Sequence, residues 1–222
     1  MSKTGPNKTE ISFSYEKSLC PPNAVICGVD EAGRGPLVGR VYAAAVILPD
    51  NYEEIPLLSG LNDSKKLSEK KRDILADAIK QYALSYAIAY SSVAEIEQYN
   101  ILGAALLAMN RAIEQLNPPP TSALIDGNQT KTIKVPCRAE IGGDGKCPSI
   151  AAASILAKTA RDAYCRDTLD ALYPEYGFAV HKGYGTKAHY AAIEKYGLCP
   201  EHRPSFFKKY FEKHPNSAAG IH

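Results

Sequence analysis

Apolar residues along this chain fall into runs whose spacing switches between a period of two and a period near 3.6, the marks of strand and helix. From Ala24 the run AVICGVD is apolar and β-prone until it breaks at Gly33–Pro36, and GRVYAAAVILP (39–49) resumes it and stops at Pro49. Two such runs around a short Gly/Pro break predict consecutive antiparallel strands. After a loop to about Lys66, Ile74, Leu75, Ala78, Ile79 and Tyr82 recur at helical spacing, with Ser68 as the N-cap. Tyr82–Tyr90 then alternates Leu84, Tyr86, Ile88 and Tyr90 with Ala or Ser, which predicts a half-buried third strand. Leu102, Ala105, Leu106, Met109, Ile113 and Leu116 mark a long amphipathic helix that Pro118–Pro120 ends. Ser122–Asp126 is a short fourth strand stopped by Gly127, and Thr132–Val135 is the candidate fifth. Ile150–Leu172 reads as a long helix whose Ala- and Ser-rich first half predicts close approach to a sheet. The order β-β-α-β-α-β-(β)-α predicts an α/β fold, a mixed sheet flanked by helices. With no internal repeat and no convincing linker, residues 24–222 are expected to form one domain behind a flexible N-terminal arm, residues 1–23.

Charge changes this picture little. The 222 residues carry a net charge of +2, so a nucleic-acid partner must be held by a local basic patch rather than by the average field. No stretch approaches the roughly 20 apolar residues needed to cross a bilayer, and the first 23 residues hold no apolar run of signal-peptide length, so a cytoplasmic address without membrane contact is expected. The six cysteines (20, 27, 137, 147, 165 and 199) form no C-x-x-C pair. They are expected to be reduced, mostly buried thiols rather than zinc ligands.

The candidate chemistry lies in the acids. Asp30 and Glu31 close the first strand, Asp126 closes the fourth, and Asp144 sits in the loop GGDG before the long helix. Strand ends are where α/β sheets build their sites. Neighbours in a strand point to opposite faces, so Asp30 and Glu31 converge only if the strand stops there, which the AGRGP break permits. Four carboxylates brought together repel one another, and a hard divalent cation with oxygen ligands removes the conflict. The plainer alternative makes Asp126-Gly127 a turn and Asp144 a helix-entry cap. Two phosphate-binding fingerprints are excluded: G-R-G-P-L-V lacks the third Gly of a dinucleotide loop, and GGDGK has Glu140 where a P-loop needs its first Gly.

At these residues the sequence resembles a type 2 ribonuclease H, ribonuclease HII, of the bacterial kind. The matches are GVDEAGRGPLVG (28–39), DSKKL (63–67), LIDG (124–127), GGD (142–144), SIAAASILAKTARD (149–162), GYGTKAH (183–189) and HRPSF (202–206). The resemblance implies a ribonuclease H-like fold, a five-stranded mixed sheet with helices and a helical C-terminal extension. It implies metal-binding, catalytic carboxylates at Asp30, Glu31, Asp126 and Asp144, with Asp162 the competitor for the fourth place. Asp162 is read instead as a helix residue paired with a neighbouring Arg or Lys. It further implies that Gly33, Arg34 and Gly35 contact the RNA backbone and its 2′-hydroxyl, and that Tyr184 packs on the sugar where RNA gives way to DNA. Pro204 in HRPSF departs from the basic residue expected there.

Two Mg²⁺ or Mn²⁺ ions are the expected cofactors, since a pair of ions activates water, neutralises the phosphate and stabilises the departing 3′ oxygen. Asp30 is expected to bridge them, with Asp126 and Glu31 completing one shell and Asp144 the water-activating one. The expected reaction is hydrolysis of the RNA strand of RNA–DNA hybrids and cutting 5′ of ribonucleotides embedded in duplex DNA, leaving 5′-phosphate and 3′-hydroxyl ends. The expected form is a monomer. Lys65 and Lys66 are expected on phosphates, with Lys70, Lys71 and Arg72 either helping or forming a solvated face. Lys182 and Lys187 flank Tyr184 and are candidates for the adjacent backbone. Two other readings remain: a DNA junction resolvase with the same carboxylates, and a catalytically silent nucleic-acid-binding module. A loop that reads the 2′-OH separates the first, and an intact acidic set, which only repels phosphate without a cation, separates the second.

Overall fold

In the computed structural model, which describes residues 11–61, 64 and 67–213, the two apolar runs around Gly33–Pro36 are strands Ile26–Ala32 (β1) and Val41–Ile47 (β2), paired antiparallel. Ser85–Ser91 (β3) pairs antiparallel with β2. Ser122–Asp126 (β4) and Cys137–Glu140 (β5) add in parallel beyond β1, giving the order β3-β2-β1-β4-β5. The helices are Phe13–Ser18 (α1), Glu69–Tyr82 (α2), Val93–Glu114 (α3), Pro148–Ala163 (α4), Asp170–Leu172 (α5), Phe178–His181 (α6), Lys187–Tyr196 (α7) and Lys208–Lys213 (α8). This is the expected mixed sheet flanked by helices. Among the described residues no helix is long and apolar enough to cross a membrane.

Helices α2 and α4 cover one face of the sheet through Ala44 and Val46, and α3 covers the other through Val29, Ala43, Ala45 and Ile125. With both faces covered, every residue of β2 is buried, which explains an unbroken apolar run where a half-exposed strand would alternate. The small-residue stretch of α4 does lie against the sheet. A Cβ on Gly28 of β1 would stand 2.1 Å from the Ser149 carbonyl carbon. That contact seats Ile150, Ile155 and Leu156 in the core, each fully buried or nearly so, at roughly 1.5–3 kcal/mol apiece. The α4 axis continues through a π-helical turn, Tyr164–Leu169, into α5.

Four details depart from the sequence reading. The fifth strand is Cys137–Glu140, not Thr132–Val135. The earlier segment is held instead by the Asn110 amide, which donates to the Thr132 carbonyl (2.8 Å) and accepts from Lys134 N–H (3.0 Å), while Pro136 brings no N–H to a ladder. In β3 the alanines face the core: Ala87, Ala89 and Ser91 are buried under α3, while Tyr86 and Tyr90 are exposed. α3 begins earlier than its apolar stripe, at a capping box of Ser92 and Glu95, and kinks at Asn100 (φ 58), whose side chain caps Leu102 N–H at 2.9 Å. Finally, residues 11–23, expected to be a loose arm, carry α1. Phe13 packs edge-on against Tyr52, and the Glu16 carboxylate accepts Ser149 N–H at 2.9 Å, capping α4 from outside.

The π-helical turn, α6 to α8 and the β1–β2 loop share a separate apolar cluster built on Leu37, Val38, Tyr164, Phe178 and Phe207. This is the helical C-terminal extension, and the bridge Val38↔His202 stitches it to the loop after β1. All six cysteines are free, with Cys27, Cys147, Cys165 and Cys199 buried.

Candidate active site

β1 and β4 run parallel with Gly28 beside Leu124 and Val29 beside Ile125, so the next rung sets Asp30 beside Asp126 at the strands' carboxyl ends. Gly143 N–H donates to Asp126 Oδ1 at 2.8 Å and ties the Gly142–Gly145 loop to the end of β4. Asp144, the next residue, is buried in the 3₁₀ turn Gly143–Gly145. Gly142 enters that turn left-handed (φ 63), and a Cβ on Gly143 would stand 2.5 Å from Ile150 Cδ1. Asp144 is not the cap of α4: that position belongs to Cys147, which makes no side-chain cap bond.

Glu31 corrects an expectation. β1 does not stop at Asp30 but continues to Ala32, and Glu31 pairs with Ala43. The strand therefore does not end where expected, yet the Glu31 side chain lines one cleft with Asp30 and meets Arg34 at 3.1 Å. Burial, then the charges of Glu31 and Asp126, push the Asp30 carboxyl well above the usual range, against a hydrogen bond from Ser154. Burial raises Glu31 too, opposed by Arg34. Among the described residues no three carboxylate, histidine or cysteine groups stand close enough to grip an ion as they are. Like charges favour such spacing. The donors are carboxylate oxygens with mutual repulsion to relieve, which fits a hard divalent cation.

A cleft of about 650 Å³ opens beside this cluster, lined by Asp30, Glu31, Gly33–Gly35, Lys158 and Tyr184. Tyr184 is 45% exposed, as a loop residue between glycines should be, and its ring lies 3.7 Å from where a Gly35 Cβ would stand. Lys65 and Lys66 lie outside the described residues. Lys70 and Lys71 are exposed, but Arg72 is occupied internally: it donates to the Ser64 and Leu67 carbonyls (3.2 and 2.8 Å) and faces Asp162 at 3.7 Å. Lys182 is likewise turned inward, donating to the Ala179 carbonyl at 2.7 Å, while Lys187 is exposed. Asp162 is paired as read, with Lys158 (2.8 Å) and Arg161 (3.5 Å) besides Arg72.

Several residues near the cleft escaped the sequence reading. Ser154 bonds Ser64 at 2.8 Å, linking α4 to the DSKKL segment. Arg203, fully buried, donates to five carbonyls of the loop after β1: Gly33 (2.8 Å), Arg34 (3.2 Å), Pro36 (2.7 Å), Gly39 (2.8 Å) and Arg40 (3.3 Å). Burial, with Arg161 close by, brings its guanidinium down to about 9. Beside it, His202 and His189 are buried with their Nε2 atoms 3.1 Å apart. Burial lowers His189 to about 4 and His202 to about 3, so both rings are neutral. The HRPSF motif contained both signals, but an Arg in a polar motif gives no hint that it is wholly buried.

Carboxylates at the ends of adjoining parallel strands, on a 3-2-1-4-5 mixed sheet beside a glycine-lined cleft, define a nuclease of the ribonuclease H class. The family model for ribonuclease HII matches residues 27–213, and the chain belongs to that family. It is thus a ribonuclease H endonuclease acting on RNA–DNA hybrids. The ribonuclease HII of Dechloromonas aromatica is 56% identical over 188 residues, 85% of this chain and 93% of the relative. Among solved structures, the ribonuclease H2 of Pyrococcus horikoshii superposes with a TM-score of 0.68 at 23% identity, over 86% of this chain and 99% of the other. A Bst-RNase HIII in complex with Mn²⁺ does so with a TM-score of 0.61 at 19% identity, over 77% and 60%. These structures share the fold.

Proposed function

We propose that this enzyme hydrolyses the RNA strand of hybrids and also cuts 5′ of ribonucleotides embedded in duplex DNA, leaving 5′-phosphate and 3′-hydroxyl ends. Asp30, Glu31, Asp126 and Asp144 would hold two Mg²⁺ or Mn²⁺ ions. When bound, such ions supply an activated water and neutralise charge on the phosphate and the departing oxygen. The observation that carries the reading is the junction of Asp30, Asp126 and the Asp144 loop at one sheet end, with Asp30 under strong repulsion. The Mn²⁺ complex of Bst-RNase HIII supports divalent-ion use.

Substrate selection falls to the chain's own loops. Arg203 occupies the carbonyls of Gly33 and Arg34, while among the described residues the amides of Gly33, Arg34 and Gly35 donate to no protein acceptor. These amides are offered to the 2′-OH, the group that tells RNA from DNA. Tyr184, across from Gly35, offers its ring to the adjoining deoxyribose. Lys158 in the cleft, with Lys65 and Lys66, carries phosphate charge. We place the enzyme in the cytoplasm as a monomer, a setting in which six free thiols persist.

Isosteric variants test this. Asp126→Asn keeps an oxygen for Gly143 N–H and loses only the charge, and Asp30→Asn removes the most crowded negative charge. Both are expected to lower kcat by about a thousandfold or more while the metal-free protein melts no lower than the parent. Near-normal cleavage by Asp126→Asn at saturating Mg²⁺ removes it from the catalytic set.

A further inference from the structure

We infer that the adjacent residues His202 and Arg203 are positioning residues that set the spacing between the two substrate-reading loops, Arg203 holding Gly33–Gly35 and His202 holding Tyr184. The inference rests on the reading of those loops just given. Its basis is geometric. Arg203 uses all three guanidinium nitrogens on five carbonyls of the loop after β1. No other side chain can donate across that span in one plane.

The His202 arm follows from tautomers. His202 Nδ1 stands 2.8 Å from Cys199 N–H and 3.3 Å from the Cys199 carbonyl, and the shorter contact, in which the amide donates, puts the His202 proton on Nε2. That nitrogen donates to His189 Nε2 at 3.1 Å, which leaves the His189 proton on Nδ1. His189 Nδ1 then donates to the Tyr184 carbonyl at 3.0 Å. Each donor and acceptor in the relay has one consistent role. The main chain joins the two arms: Arg203 N–H donates to the Leu37 carbonyl, Leu37 N–H donates to the Gly183 carbonyl (both 2.9 Å), and Val38 bridges His202. Gly183 lets the loops touch, since its Cβ would stand 2.2 Å from Val38 Cγ1. Two neighbouring residues thus reach two different recognition elements.

The test asks whether the arms separate. Three duplexes are used with the full chain and Mg²⁺: DNA with one ribonucleotide, a long RNA–DNA hybrid, and all-DNA. Arg203→Lys, which cannot span the carbonyls, is expected to lower the preference for ribose over deoxyribose about tenfold on the single-ribonucleotide and hybrid substrates alike. His202→Leu is expected to slow single-ribonucleotide cleavage about tenfold while leaving hybrid cleavage within about twofold. His189→Gln, a milder cut in the same relay, carries the second arm if His202→Leu does not fold. Because the chain has no tryptophan, Tyr184→Trp adds a lone reporter whose anisotropy should fall when His202→Leu is combined with it. Parallel loss on all substrates, tracking the melting temperature, would overturn the inference. Tyr184→Ala is the control. If it hurts both ribose-containing substrates equally, the reading of Tyr184 fails. If it is selective and the His202 and His189 variants are not, the relay fails and the reading stands.

Discussion

Asp30 and Asp162 are both buried aspartates in family-matched motifs, and their surroundings are opposite in charge. Asp30 faces Glu31 and Asp126 and is pushed towards its neutral form, whereas Asp162 stands among Lys158, Arg161 and Arg72. A carboxylate already balanced by three cations has little to offer a metal ion. Asp144, on the loop fastened by Asp126, has the place such a ligand needs. Asp144→Asn should therefore lose turnover and keep its fold. Asp162→Asn strands three cations and should lose on the order of 3 kcal/mol of stability, with cleavage at low temperature largely retained. Paired measurements of kcat and urea midpoint decide between them. A catalytically dead but fully stable Asp162→Asn would reverse the assignment.

At the scale of elements, α4 governs the site, because its first turn lies on Gly28 and its N-terminus follows the Asp144 loop. α1 clasps the same region: Ser12 N–H donates to the Lys146 carbonyl, the Tyr15 hydroxyl donates to Glu140, and Glu16 caps Ser149. Burial raises the Glu16 carboxyl to about 7. A folded pKa above the unfolded one means that the contribution is complete below about pH 4.5 and is lost as pH rises through 7. Glu16→Gln keeps an acceptor for Ser149 and removes the titration. Relative to the parent, the variant should gain on the order of 3 kcal/mol between pH 4.5 and pH 8 in chemical denaturation. Parallel curves across that range would place Glu16 in water. Elements were readable where periodicity was strong, as in β1, β2, α2 and α4. β5 and the burial of β3 were not, because Asn110 replaces a strand partner from afar and because close helix packing selects alanine over tyrosine.

Across the whole molecule, the meeting of Asp30, Asp126 and the Asp144 loop was legible from strand-end placement, but the residues that pack around it were not. Arg203 acts on a loop more than 160 residues away along the chain, and His202 reaches the Tyr184 loop only through His189, 13 residues away, which no local pattern announces. The modest net charge also has a consequence. Cleft cations such as Arg72 and Lys158 are partly committed to Asp162, so few phosphates can be neutralised. Binding of an RNA–DNA hybrid by Asp126→Asn should weaken with salt at a log–log slope between about −2 and −4, and a slope near −10 would mean a far larger basic surface. The most direct measurement supplies Mg²⁺ and two duplexes of identical sequence, one all-DNA and one with a single ribonucleotide, and maps the product ends. A single cut on the 5′ side of the ribonucleotide, with 5′-phosphate and 3′-hydroxyl ends and an untouched all-DNA duplex, is the predicted result. Cleavage of the all-DNA duplex would contradict the 2′-OH-reading loop, and cyclic phosphate ends would contradict hydrolysis by a metal-activated water.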